Sequence, residues 1–324
     1  MCTAVNMTTA HHYFGRNLDL EYSYQEEVVV TPRGYSFPFR HVSGPARAYA
    51  MIGMATVMDG IPLYYEATNE RGVSMAGLNF PGSADYKPMT AGRDNVPPFE
   101  FIPWLLGQCA NMDEVRACLS RVSVLAERYN DVLPLQPLHW MISWQDESIV
   151  VESLPDGLHV SENPVGVMTN NPPFEMQLFG LNNYMSLSPV QPENAFAPGL
   201  PMTLYSNGMG ALGLPGDLSS ASRFVRAAYT KMNSACGDSE AESVSQFFHI
   251  LGSVDQQRGC CDVGEEEYEI TLYTSCCNAD KGIYYYTTYD NHQITAVDMH
   301  REDLDGETLA RYPLILGEQI RFQN

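Results

Sequence analysis

Short apolar and β-branched runs, punctuated by polar and turn residues, fill the first third of the chain, the pattern of β-strands. They lie at Thr3–Met7, Tyr13–Leu18 and Glu27–Thr31, with Pro32-Arg33-Gly34 closing the third. Ala48–Met58, Leu63–Thr68 and Val73–Asn79 continue the pattern, broken by Asp59-Gly60 and Glu70-Arg71-Gly72. The spacing then becomes helical. Pro98–Asn111 reads as one helix and Asp113–Val122 as a second, with acids in its first turn and Val115, Leu119 and Val122 on one face. Strands return at His139–Trp144, Ser148–Ser153 and Gly166–Thr169, and a helix over Phe174–Tyr184 follows Pro172-Pro173. After a Pro- and Gly-rich stretch from Ser188 to Gly216 come helices at Ser222–Met232 and Glu242–Leu251. Strands at Tyr268–Cys277, Gly282–Tyr289 and Gln293–Met299 close the order. Strands, helices and strands again, with antiparallel meanders at both ends, predict a layered α+β fold whose helices cover two sheets.

Composition narrows the function classes. The 324 residues are 44% hydrophobic, ample for a large core, and no repeat or linker divides them, so one domain over 1–324 is expected. Eighteen basic against 39 acidic residues leave a net charge of −21, which repels nucleic acid and anionic membranes and excludes both as partners. Salt screens that field beyond ~8 Å, so arginines inside a pocket can still hold a small anion. Neither a signal-peptide pattern nor an apolar run long enough to span a bilayer is present, and a soluble, cytoplasmic protein is expected. The eight cysteines are then mostly free thiols. None is spaced C-x-x-C, and the pairs Cys260–Cys261 and Cys276–Cys277 would point to opposite strand faces, so all except Cys2 read as core thiols. Histidine spacing suits no metal, and no P-loop, dinucleotide fingerprint or G-x-S-x-G occurs, so neither metal nor cofactor is expected.

Candidate chemistry begins at position two. Removal of Met1 would give Cys2 both a thiol and a free α-amine, and an α-amine titrating near ~7.7–8.0 can take the thiol proton at neutral pH. In the segment Phe14-Gly15-Arg16-Asn17-Leu18-Asp19, strand alternation puts Arg16 and Asp19 on opposite faces. A departure from extension near Gly15 or Asp19 would turn both toward the first strand, where the arginine favours a thiolate and the aspartate holds an ammonium. A surface ion pair of negligible energetic value is the competing account. Asn79, inside Ala76–Gly82, and Asn170, inside Thr169-Asn170-Asn171-Pro172, sit where backbone N–H groups and amides can form an oxyanion hole, or where ordinary turn chemistry puts such residues. Arg223 opens a helix, where a cation opposes the macrodipole, so either an anionic partner holds it or its stem lies back over the surface.

Together these segments resemble the choloylglycine hydrolase family. The likeness runs through Met1-Cys2-Thr3, Tyr13–Asp19, Val30-Thr31-Pro32-Arg33, Ala76–Gly82, Leu138-His139-Trp140, Thr169–Pro172, Gly213–Arg226 and Tyr284–Asp290, nearly the whole chain. It implies the N-terminal nucleophile (Ntn) hydrolase fold, a four-layer αββα sandwich with two antiparallel sheets between helical layers, and a mature chain 2–324. It implies Cys2 as nucleophile with its amine as base, Arg16 and Asp19 as the orienting pair, Asn79 and Asn170 as oxyanion donors, and Arg223 as a second active-site arginine. The implied substrate is the amide joining a bile acid to glycine or taurine, and the implied assembly is a homotetramer. A steroid needs an apolar pocket, for which Leu20, Tyr24, Met58, Tyr65, Leu133 and Leu135 are candidates, with core packing the competing reading. The rival within the same fold is a penicillin V acylase; Asn79 and Gly15-Arg16-Asn17 favour bile salts. The rival of another class is a non-enzymatic acidic binding protein whose Cys2 is merely terminal.

Overall fold

The computed structural model describes residues 1–45 and 47–324. The chain first forms β1 (Cys2–Thr8), β2 (His12–Leu20), β3 (Glu27–Thr31), β4 (Met51–Met58), β5 (Ile61–Asn69), β6 (Ser74–Asn79) and β7 (Asp94–Val96). Helices α1 (Pro98–Leu106) and α2 (Met112–Leu119) lead to β8 (Val122–Val124), β9 (Leu138–Trp144), β10 (Glu147–Leu154), β11 (Gly157–Glu162) and β12 (Val167–Met168). Helices α3 (Phe174–Gly180), α4 (Ser220–Asn233) and α5 (Glu240–Gly252) follow. Last come β13 (Asp262–Gly264), β14 (Glu267–Tyr268), β15 (Ile270–Asn278), β16 (Ile283–Thr288), β17 (Asn291–Asp298) and β18 (Ala310–Pro313).

Two antiparallel sheets carry the architecture, one ordered β12-β1-β2-β15-β16-β17 and the other β11-β10-β9-β6-β5-β4-β3-β18. Period-two alternation decides what each face of the larger sheet buries. Val28, Val30, Ile52, Met54, Met141 and Val150 point into the core between the sheets. Their neighbours Val29, Met51, Ile142 and Val151 point outward against α1 and α2, beside Phe101, Trp104 and Leu105. Helix α4 packs on β1, and α5 packs on β1, β2 and β15, covering the smaller sheet. The result is the four-layer αββα sandwich. Both faces of β1 and β2 are therefore buried, which accounts for their lack of polar alternation.

Gly15 is required by a close approach. A Cβ there would lie 2.0 Å from the Ser275 carbonyl oxygen on β15, so only glycine lets β2 and β15 pair at this point. The predicted elements differ from the observed ones at several ends, and β7, β8, β11, β13 and β18 form where no strand was expected. The first helix stops at Leu106 instead of Asn111, because Asn111 caps α2, its Oδ1 accepting the Glu114 amide at 2.9 Å. Val122 belongs to β8, paired in parallel with β7, not to the second helix. The reading of seven core thiols also needs correction: Cys109, Cys118, Cys276 and Cys277 are buried, but Cys236 and Cys260 are exposed and Cys261 is half-buried.

Candidate active site

Strand register assembles the site. Within the smaller sheet Cys2 lies opposite Leu18 and Ala4 opposite Arg16. On its other side β1 meets β12, Ala4 facing Met168, and β12 ends there. The chain continuing through Thr169 therefore runs beside the start of β1. It delivers Asn170, whose Oδ1 accepts the Cys2 N–H at 2.8 Å.

Strand β2 is continuous from His12 to Leu20, and the irregularity near Asp19 lies in its partner β15, whose register shifts between Thr271 and Tyr273, so no bend turns Arg16 and Asp19 to one face. The two side chains reach the start of β1 from opposite faces. Arg16 points between the sheets and is fully buried, which removes the surface ion-pair account. Its Nη1 donates to the Gly77 carbonyl at 2.7 Å and the Tyr65 carbonyl at 3.4 Å, and Glu66 lies 3.8 Å from Nε. Its Nη2 is buried without a hydrogen-bond partner. Burial opposes the charge, yet Cys2, Tyr273, Glu66 and Asp19 together hold the guanidinium pKa above its ordinary value. Burial raises the Glu66 pKa, against the pull of Arg16 and two phenol donors.

Asp19 faces α4 and α5. Its carboxylate accepts Thr271 Oγ1 at 2.7 Å and Gln256 Nε2 at 3.3 Å, and Arg223 Nη1 lies 3.8 Å away. Arg223 is fully buried, so its stem does not lie over the surface. It donates to the Cys2 carbonyl and Thr3 Oγ1, both at 2.6 Å, to Asn170 Oδ1 at 2.8 Å and to the Leu218 carbonyl at 3.0 Å. Those acceptors offset its unfavourable place in the first turn of α4. The Asp19 carboxylate makes no hydrogen bond to the Cys2 nitrogen. With Met1 attached, the terminal ammonium is held instead by the Asp19 main-chain oxygen at 2.6 Å and by the Glu269 carboxylate. Burial raises the Glu269 pKa, while that ammonium draws it back. Glu269 and Gln256 carried no signal in the sequence pattern.

Asn170 Nδ2 donates to the Asn79 carbonyl at 2.7 Å, so the two asparagines meet. Asn79 Oδ1 is buried without a partner. Arg16 and Asn79 line one cavity with Cys2, and so do all six apolar candidates, Leu20, Tyr24, Met58, Tyr65, Leu133 and Leu135. Asp19, Asn170 and Arg223 stand outside that lining, around the strand end that carries Cys2. Leu18, Phe99 and Tyr129 also line it and were missed. The signal for Leu18 was available, since it alternates with Arg16 and Leu20 on one strand face. Tyr129 and Phe99 come from a loop and a helix start that no periodicity joins. Among the described residues, no three or more His, Cys, Asp or Glu side chains gather as a metal would require.

A thiol, an unpartnered buried guanidinium nitrogen and a largely apolar cavity in one place suit acyl transfer from an amide whose acyl part is apolar. The comparisons agree with that geometry. The chain is 52% identical to the bile salt hydrolase/transferase of Lactiplantibacillus plantarum, over 97% of this chain and 97% of that protein. It is 37% identical to the bile salt hydrolase/transferase of Clostridium perfringens, over 96% of each. A crystal structure of a mutant conjugated bile acid hydrolase from Clostridium perfringens superposes with a TM-score of 0.92 at 35% identity, covering 100% of both chains. A penicillin V acylase from Agrobacterium tumefaciens, 20% identical, shares the fold at a TM-score of 0.72 over 97% of this chain and 92% of that one. Residues 2–312 match the family model described as linear amide C–N hydrolases, choloylglycine hydrolase family. With a relative at 52% identity along almost its whole length, the chain belongs to the choloylglycine hydrolase family.

Proposed function

We propose that this hydrolase of linear amide bonds acts on conjugated bile salts, with Cys2 as nucleophile after removal of Met1. The observation that carries the reading is that Cys2, Arg16 and Asn79 line the same cavity as the apolar residues Leu20, Tyr24, Met58, Tyr65, Leu133 and Leu135. The steroid lies against those side chains and presents its amide carbonyl to Cys2. The freed α-amine takes the thiol proton, held where Asn170 Oδ1 now accepts the Cys2 N–H. Arg16 favours the thiolate from the cavity side. The oxyanion that forms is met by the second Nδ2 hydrogen of Asn170 and by the main chain at Asn79, each donor worth about 3 kcal/mol in such a site. The α-amine passes its proton to the departing glycine or taurine, and water hydrolyses the thioester. Asp19 and Arg223 hold the strand end and its charges, through the contacts Arg223 makes to the Cys2 carbonyl and Asn170.

The test is a side-by-side assay of glycocholate, taurocholate and penicillin V, with intact mass to establish loss of Met1. Glycine and taurine release by the wild type, abolished in a folded Cys2→Ala protein, is the expected result. Cleavage of penicillin V with no activity on any conjugate would overturn it. A cytoplasmic homotetramer acting as one 2–324 domain completes the proposal. Among the described residues no helix is long and apolar enough to cross a membrane. Met185, Val190, Phe196, Tyr205 and Leu212 are largely exposed between α3 and α4, a surface for a second copy that light scattering of the purified protein would test.

A further inference from the structure

His139 belongs to none of the roles above, yet it touches the neighbours of both asparagines. It sits on β9 opposite Leu78 and is fully buried. Its ring stacks on Phe80, the residue after Asn79, at a centroid separation of 4.2 Å and an interplanar angle of 6°. Its Nε2 lies 2.8 Å from the carbonyl oxygen of Thr169, the residue before Asn170. A carbonyl only accepts, so Nε2 carries a hydrogen and donates it. On the opposite edge Nδ1 lies 2.9 Å from Glu152 Oε1. Glu152 is fixed in turn, accepting the Phe174 N–H at 3.1 Å on each oxygen at the start of α3. The ring thus has no free rotation.

We propose that His139, oriented by Glu152, is a positioning residue that sets the separation of Asn79 and Asn170 across the oxyanion site. The inference rests on the reading that these two asparagines face the oxyanion. One planar group spans both arms, by a stacking contact on the Phe80 side and a hydrogen bond on the Thr169 side. A shift of the Thr169 carbonyl moves the next residue, and with it the Asn170 donor that faces the oxyanion. Displacements near 1 Å at such a site cost about 100-fold in rate even when no reacting group is lost.

The experiment compares His139→Asn with His139→Gln in the full chain. An asparagine amide can occupy the place of Nδ1 and keep Glu152 satisfied, but falls short of Thr169; a glutamine amide reaches the place of Nε2. His139→Asn is expected to lower kcat about 10- to 100-fold with KM within about threefold of wild type, and His139→Gln to restore most of the loss. Alkylation of Cys2 by iodoacetamide, which passes through no oxyanion, should proceed within about threefold of wild type in both. The proposal is overturned if His139→Asn keeps kcat within about threefold, if both variants are equally impaired, or if alkylation slows in step with kcat. The kinetics use whichever linear amide the wild type cleaves. A wild type silent on bile salts therefore refutes the substrate assignment and leaves this comparison intact.

Discussion

Asn170 offers the sharpest test of the site, because one side chain serves three partners. Its Oδ1 accepts the Cys2 N–H and Arg223 Nη2, both at 2.8 Å, and its Nδ2 donates to the Asn79 carbonyl at 2.7 Å. Two substitutions take these functions apart. Asn170→Ala removes all of them. Losing one oxyanion donor costs about 2.7–4 kcal/mol, or about 10²–10³ in kcat. Truncation also strands buried polar groups, at about 1–3 kcal/mol each. Arg223 keeps its bonds to Leu218, Cys2 and Thr3, so the structural loss should stay near the lower end of that range.

Asn170→Asp keeps the shape and both acceptor contacts, and places a carboxylate beside the Arg223 guanidinium. It exchanges the donor for an oxygen that repels both the Asn79 carbonyl and a developing oxyanion. Stability should remain within about 1 kcal/mol of wild type, while kcat falls at least as far as in the alanine variant. The assay is release of glycine or taurine under saturating substrate, paired with thermal unfolding of each variant. Near-wild-type kcat in Asn170→Asp would mean that Nδ2 donates nothing to the transition state. The asparagine would then be only a strut for Cys2 and Arg223.

Gly15→Ala forces a Cβ to within 2.0 Å of the Ser275 oxygen and 2.6 Å of its carbonyl carbon, both backbone atoms that cannot swing aside. It should cost at least about 1–3 kcal/mol and reduce activity through Arg16 and Asp19, as seen by unfolding and turnover together. Arg223→Lys exchanges a fork of four bonds for a point charge, and should lower both kcat, by about tenfold or more, and Tm. Glu100 is pushed by burial from 4.5 up to about 7, partly offset by the Arg40 amide. A raised folded-state pKa means that the native state binds this proton more tightly, so the associated stability is complete below pH 4.5 and is lost as pH rises through about 7. Glu100→Gln should therefore gain up to about 3 kcal/mol over wild type at pH 8 and little at pH 4, read from unfolding at the two pH values; an equal effect at both would contradict the burial argument.

The legible part of this site was what a single strand encodes. Alternation along Arg16-Asn17-Leu18-Asp19 required Arg16 and Asp19 to face opposite ways, and they do. A bend that brings both toward Cys2, or else a surface ion pair, follows only where a single face of the strand can matter. In a sheet covered by helices on one side and a second sheet on the other, both faces of β2 are interior. The cavity with its guanidinium lies on one face and the Asp19–Arg223 pair on the other, with Cys2 at the edge between them. The awkward position of Arg223 was likewise readable as a demand for acceptors, though not as a demand for the Cys2 carbonyl and Asn170. What no local pattern could carry was the pairing of β1 with a two-residue strand some 160 positions away, since two residues have no period. That pairing places Asn170 on the Cys2 nitrogen. The same brevity hid β7, β8 and β18, and pairing of β9 with β6 hid His139, which looked isolated because its partners Thr169, Glu152 and Phe80 are contributed by three other segments. The residue types of the candidate site are thus specified along the chain, and their geometry around Cys2 by registers between strands that only the closed sandwich establishes.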